Sequence, residues 1–245
     1  MENQFPIDYY SLLEAFSQPG CALCNLLLRS TERLLDSLLY EQVNESETQR
    51  AVRARRGLCN THAWQMSRMM GNALGIAILY RAAVDEALGA IERATPKAVT
   101  QSGLERILGM QPQQDALPLA DALEPTQPCM ACSLFNETEQ RYLGTFKQYI
   151  SDERLLAALR ASNGLCLNHF SAALRQMHDP AGLGQLIGIQ REIWSRLQVE
   201  LQEFIDKNDY RRMREPMGME RDSWQRALRA MAGEPGVFGV DPQTR

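Results

Sequence analysis

Six cysteines and three histidines carry the chemistry that can be read from this sequence: Cys21, Cys24, Cys59, Cys129, Cys132, Cys166, His62, His169 and His178. Cys21 with Cys24 and Cys129 with Cys132 are CxxC pairs; Cys59 with His62 and Cys166 with His169 are CxxH pairs. A closed structural zinc site takes four sulfur and nitrogen ligands in a tetrahedron, often as two short-spaced pairs. One CxxC plus one CxxH supplies such a set, three thiolates and an imidazole, with a net charge of about −1 on a dication. Zinc is the expected metal, at about two ions per chain. Three other chemistries compete. Thiol redox at CxxC leaves the CxxH pairs without a role. An iron–sulfur cluster accepts Cys and sometimes His, and spacing alone leaves it open. A disulfide framework suits a secreted chain, and no secretory signal is visible here. Asn25 and Ser133 follow the CxxC pairs, so the covalent haem pattern is absent.

The ligands repeat. The CxxC pairs are offset by 129 − 21 = 108 residues and the CxxH pairs by 166 − 59 = 107, a single-residue indel. Gly57-Leu58-Cys59 matches Gly164-Leu165-Cys166, and Arg53-Ala54 matches Arg160-Ala161. Leu26, Arg33 and Leu35 match Leu134, Arg141 and Leu143. This is the signature of an internal duplication. His178 falls outside it and reads as an ordinary polar residue. Within a copy, Cys24 and Cys59 enclose 34 residues, and Cys132 and Cys166 enclose 33. The shorter loop favours pairing within a copy by only about 1.3 kcal/mol. The indel lies between the half-motifs of one copy, which adds to the expectation that each copy closes its own site.

Helices must position these ligands. Leu27, Leu28, Thr31, Leu34, Leu35, Leu38 and Leu39 follow the first CxxC at helical spacing. Phe135, Tyr142, Leu143, Phe146, Tyr149 and Ile150 follow the second. Each CxxC therefore opens an amphipathic helix, where an i, i+3 pair shares one face and the helix start favours thiolate. Shorter helices are expected near 46–56 and 153–163, ended by left-handed Gly57 and Gly164. The CxxH pairs open further helices. The first is expected to run on from Met66 to Ile91; the second is interrupted at Asp179-Pro180 and resumes to Ile205. A short helix is expected at 101–109, and another from Glu220 to Met231, stopped at Gly233-Glu234-Pro235-Gly236. The fold class is all-α: a helical bundle built from two duplicated repeats, each with a Cys3His site at helix N-termini. The layout is 1–95 first repeat, 96–128 linker, 129–207 second repeat and 208–245 C-terminal helix and tail.

Composition narrows the function. Apolar residues are 44%, charged residues 23% and the formal net charge is −4, ordinary values for a globular chain. No apolar run is long enough to span a bilayer, so a cytoplasmic protein without membrane contact is expected. The mild acidity makes nucleic acid an unfavoured partner. Arg50, Arg53, Arg55 and Arg56 form a local basic cluster that suits a helix C-terminal turn better than a phosphate site. No HExxH, Walker or GxGxxG motif is present, and four good ligands leave no open position for water. No catalytic residue is assigned, and Glu137, Glu139 and Asp152 read as solvated helix charges.

The tail segment Asp209-Tyr210-Arg211-Arg212 and Glu220-Arg221-Asp222-Ser223-Trp224-Gln225-Arg226-Ala227 is dense in acids, arginines and aromatics. It reads first as a salt-bridged helix packing Trp224 and Leu228 on the bundle, and second as a pocket wall or partner surface using Arg211, Asp222 and Trp224. It holds no Cys or His, so metal content is expected to survive its removal. The doubled CxxC…GLCxxH together with DYRRMREP…ERDSWQRAL resembles a prokaryotic family known as a domain of unknown function, over about residues 8–233. That resemblance implies a common architecture and brings no activity or substrate. The functional expectation is a non-enzymatic metal-binding module for a protein or small-molecule partner. The alternative is a redox protein using iron–sulfur clusters or switchable zinc-thiolates.

Overall fold

The structure, a computed structural model, describes residues 5–94, 117–212 and 214–238, and every regular element among them is helical. In chain order the helices are α1 (Ile7–Phe16), α2 (Ala22–Tyr40), α3 (Ser46–Arg55), α4 (Asn60–Ser67), α5 (Ala73–Ala94) and α6 (Leu117–Leu123). Then come α7 (Met130–Tyr149), α8 (Glu153–Ala161), α9 (Leu167–Gln176), α10 (Pro180–Lys207), a 3-10 turn (Met219–Asp222) and α11 (Ser223–Ala232). The helix expected at 101–109 lies outside the described residues. Part of the expected linker is helical, as α6. The helix expected from Met66 through Ile91 is two: Gly71, at φ 79°, and Asn72 separate α4 from α5. Gly71 takes the left-handed conformation a side chain resists. The equivalent break in the second copy is capped by Asp179, whose carboxylate accepts from Gly182 N at 2.8 Å, with Pro180 in the first turn.

The chain forms two compact units, and they do not follow the two repeats. One runs up to Arg33 and resumes at Leu134; the other is Leu34–Ser133. The boundaries fall inside α2 and α7, so 1–95 and 129–207 are not the compact bodies. In the first unit Tyr9, Leu12, Phe16, Leu23, Leu27, Phe146, Leu155, Leu159 and Leu186 form the core. In the second the core is Leu35, Leu38, Leu39, Val43, Val52, Met66, Leu79 and Ala83. The predicted stripe of α2 is thus buried apart from half-buried Leu28 and Leu34, its first part in one core and its second part in the other.

Asp152 shows how a polar residue secures the first core. Its Oδ1 accepts from Arg154 N at 3.0 Å and Leu155 N at 3.1 Å, capping α8, and from the Tyr9 hydroxyl at 2.6 Å. Burial, then the hydrogen bond to Asp152, pushes Tyr9 up to about 12. The Tyr9 bond and the two backbone amides hold Asp152 below its usual range. A depressed folded-state pKa contributes stability above the ordinary carboxylate range, lost as pH falls through the depressed value. Tyr9→Phe should cost about 1–2 kcal/mol at neutral pH in urea unfolding, with the difference narrowing in acid as Asp152 protonates.

Candidate metal centres

All eight predicted ligands lie at helix starts. Cys59 and Cys166 are the N-cap residues of α4 and α9. Cys21 and Cys129 immediately precede α2 and α7, and their carbonyls accept from Asn25 N and Ser133 N at 3.0 Å. The partner of each pair, three residues on, is at the third helical position. Side chains at these two positions converge over the first turn, as in a capping box. There the unpaired amides and the positive helix end favour negative sulfur.

The pairing differs from the expectation. Cys21 and Cys24 meet Cys166 and His169; Cys129 and Cys132 meet Cys59 and His62. Each group joins the CxxC of one copy to the CxxH of the other. Helix length gives the reason. α2 has 19 residues and carries the chain about 28 Å from its CxxC, while α3 has ten and returns it about 15 Å. α7 and α8, with 20 and nine residues, repeat the mismatch. Loop entropy of about 1.3 kcal/mol is too small to oppose it.

Within each group all four donor atoms lie within 4.8 Å of one another. In the first, Cys24 Sγ and Cys166 Sγ are 3.7 Å apart, and His169 Nδ1 is 3.4, 3.4 and 3.3 Å from the sulfurs of Cys21, Cys24 and Cys166. In the second, Cys59 Sγ and Cys132 Sγ are 3.6 Å apart, and His62 Nδ1 is 3.2, 3.8 and 3.4 Å from the sulfurs of Cys59, Cys129 and Cys132. Zinc–sulfur bonds of about 2.3 Å and zinc–nitrogen bonds of about 2.0–2.1 Å at tetrahedral angles give sulfur–sulfur edges of ~3.8 Å and sulfur–nitrogen edges of ~3.5 Å. Each donor set could hold one ion, and the four contacts given for each lie near tetrahedral edges.

Without a cation the donors divide protons unequally. Burial opposes a charged His62, but the thiols of Cys129 and Cys59 outweigh it and push the imidazole up to about 9. His169 is raised in the same way against burial, by Cys166, Cys21 and Glu139. Bonds from Cys132 and Cys59 lower Cys129, and Cys132 is raised by Cys129 and Cys59. Burial would raise Cys21, but Cys166, Cys24 and His169 lower it; Cys24 is raised by Cys166 and Cys21. A cation would replace these shared protons, and metal binding would release them.

Neighbouring groups orient the donors. Gly57 and Gly164 have φ of 95° and 75°, as expected of residues just past a helix end. A methyl group on Gly164 would come within 2.8 Å of Gln190 Nε2, and one on Gly57 within 2.9 Å of the Tyr80 ring. The approach matters because fully buried Gln190 clamps Leu165. Its Oε1 accepts from Leu165 N at 2.9 Å and its Nε2 donates to Leu165 O at 3.1 Å, one residue before Cys166. Asn163 Oδ1 accepts from Gly20 N at 2.9 Å, tying together the two loops that enter the first centre. In the second, Arg55 Nε donates to Pro128 O at 2.7 Å, ahead of Cys129. Arg56 likewise donates to carbonyls, those of Arg53 and Ala122, so these two arginines serve the helix end as expected.

Three supporting features were not legible as such. Glu139 Oε1 lies 3.3 Å from His169 Nε2, the outer nitrogen, close enough for an ionic contact but without hydrogen-bond alignment. The tail covers the first centre: an added Cβ on Gly233 would stand 3.4 Å from Cys24 Sγ, and the Phe238 ring lies 5.1 Å from the His169 ring. The packing of α11 also departs from expectation, because Trp224 and Leu228 are exposed and Ser223 is buried. Arg226 bonds Asp222 at 2.8 Å and pairs with Glu200, and with Arg229 lines a cavity of about 270 Å³ that reaches Cys21 and Cys166. Of the residues proposed for a pocket wall, Asp222 borders an adjoining cleft. Arg211 instead lies exposed against Tyr210, to whose hydroxyl it donates at 2.8 Å. His178 is exposed and belongs to neither donor group.

The chain belongs to the family described as "Family of unknown function (DUF6062)", which it matches over residues 7–236. It is 22% identical over 224 residues to an "Uncharacterized 23.9 kDa protein in xynA 3'region" of Caldicellulosiruptor sp. (strain Rt8B.4), covering 91% of this chain and 99% of the relative. No solved structure matches the chain. Among the described residues no helix is long and apolar enough to cross a membrane.

Two variants probe the supports. Gln190→Leu should cost about 1–3 kcal/mol by leaving both backbone groups of Leu165 buried and unpaired. It should also speed metal loss to a chelator at the first centre alone. Removal of residues 233–245 takes away no donor yet should expose the first centre, so one ion is expected to exchange faster in a chelator competition. Unchanged exchange would show that the tail gives no shielding.

Proposed function

We propose that the chain is a non-enzymatic zinc protein whose two four-coordinate centres pin paired helix starts, giving a rigid helical module that binds a protein or small ligand. The observation that carries this reading is the donor geometry: three sulfurs and one nitrogen per centre within 4.8 Å of one another, with one sulfur–sulfur and three sulfur–nitrogen contacts in each near tetrahedral edge lengths. That spacing favours a single ion over a polynuclear iron–sulfur cluster, whose ligands spread around two or more irons. All six cysteines are free, which suits reduced thiols and a cytoplasmic location. Partner binding is supported by α11, where Trp224, Leu228 and Met231 are exposed at helical spacing. The cavity beside Cys21 offers room for a small ligand instead.

Elemental analysis of protein purified without chelator should give about two zinc ions per chain in a colourless sample. Paired substitutions then read the connectivity. Cys59→Ala with Cys129→Ala should remove one ion, because both belong to one centre, while Cys59→Ala with Cys21→Ala should remove both. The reverse result would restore pairing within each copy, and absence of metal would overturn the reading.

A further inference from the structure

We propose that Cys59 and Cys132 are an oxidative modification site, a sulfur pair that a hydroperoxide converts to a disulfide while the Cys21 centre stays intact. The proposal rests on the metal-binding reading only for its consequence, the loss of one ion.

The two centres share a donor set and differ in access. Cys21, Cys24, Cys166 and His169 are exposed by 3%, 0%, 0% and 0%. In the second centre Cys129 and His62 are buried, but Cys59 and Cys132 are only half-buried. The first centre has the Glu139 carboxylate beside its imidazole and Gly233 and Phe238 over its donors. Among the described residues no carboxylate stands at ion-pair distance from His62. Oxidation of a cysteine follows its thiolate character and its exposure. Both centres provide thiolate donors, so exposure separates them.

The two accessible sulfurs are also neighbours, 3.6 Å apart, and a bond between them needs closure by about 1.5 Å. They come from different helix starts, those of α4 and α7. The Cys59 thiolate attacks one peroxide oxygen, the O–O bond breaks, and Cys59 becomes a sulfenic acid as hydroxide, or an alkoxide, leaves. The Cys132 thiolate then attacks the Cys59 sulfur; the S–S bond forms and a second hydroxide leaves. Two protons neutralise the leaving oxygens. Two thiolates lose two electrons and the peroxide gains them. Cys129 and His62 remain as a pair of donors, too few to close a tetrahedral site.

The test uses the full chain carrying two equivalents of zinc, titrated with hydrogen peroxide. Zinc release is followed with 4-(2-pyridylazo)resorcinol, and thiols are mapped by alkylation and peptide mass spectrometry. The expected result is release of one ion of the two, a Cys59–Cys132 disulfide, and recovery of both with dithiothreitol. In Cys132→Ser the Cys59 sulfenic acid should persist and be trapped by dimedone. Oxidation of Cys21, Cys24 or Cys166 first, simultaneous loss of both ions, or a Cys129–Cys132 disulfide would overturn the proposal. If the chain binds no metal, the function proposed above fails separately. The thiol map of the metal-free chain then decides this one, which stands if Cys59 and Cys132 oxidise first and falls if they do not.

Discussion

Two helix N-termini meeting over four donor atoms are the constraint on which the rest of this structure depends. Three thiolates whose sulfurs lie within 4.8 Å of one another in a largely buried site repel one another. Only a cation or shared protons can hold them. The protein makes this tolerable by setting each pair at the first turn of a helix, where free amides offer positive charge. The surrounding details follow from keeping those starts in place. They include left-handed glycines ahead of each CxxH, the Gln190 clamp on Leu165, the Asn163 bond to Gly20 and the Arg55 bond to Pro128.

The crossing of the repeats is a consequence of lengths. A long helix after each CxxC and a short one before each CxxH leave the two halves of a copy mismatched, so each half finds its partner in the other copy. Two compact units result, each holding one complete donor set and its own apolar core. The duplication therefore shows in the sequence as 1–95 and 129–207, while the folded bodies are cut inside α2 and α7.

The two centres are unequal. The position aligned with Glu139 by the 108-residue offset is Thr31, so one copy has a carboxylate where the other has a hydroxyl. The C-terminal segment adds Gly233 and Phe238 to the first centre. The exposed apolar residues of α11 face away from the core, which turns this segment from bundle packing, as its pattern suggested, into a surface.

What could be read along the chain was what depends on neighbours three and four residues apart. The helical class follows from apolar spacing, the ligand types from the scarce Cys and His, and their place at helix starts from the residues before each pair. The left-handed Gly57 and Gly164 were legible for the same local reason. The break between α4 and α5 was missed although Gly71-Asn72 signals it, because the apolar period resumes in register beyond it. Which CxxC meets which CxxH, the part played by Glu139, and the cover over Cys24 were decided only by the tertiary structure. Each joins residues that local energies do not couple; Cys24 and Cys166, for example, are 142 positions apart. Loop entropy varies only with the logarithm of that separation, so it leaves the choice to helix lengths and packing.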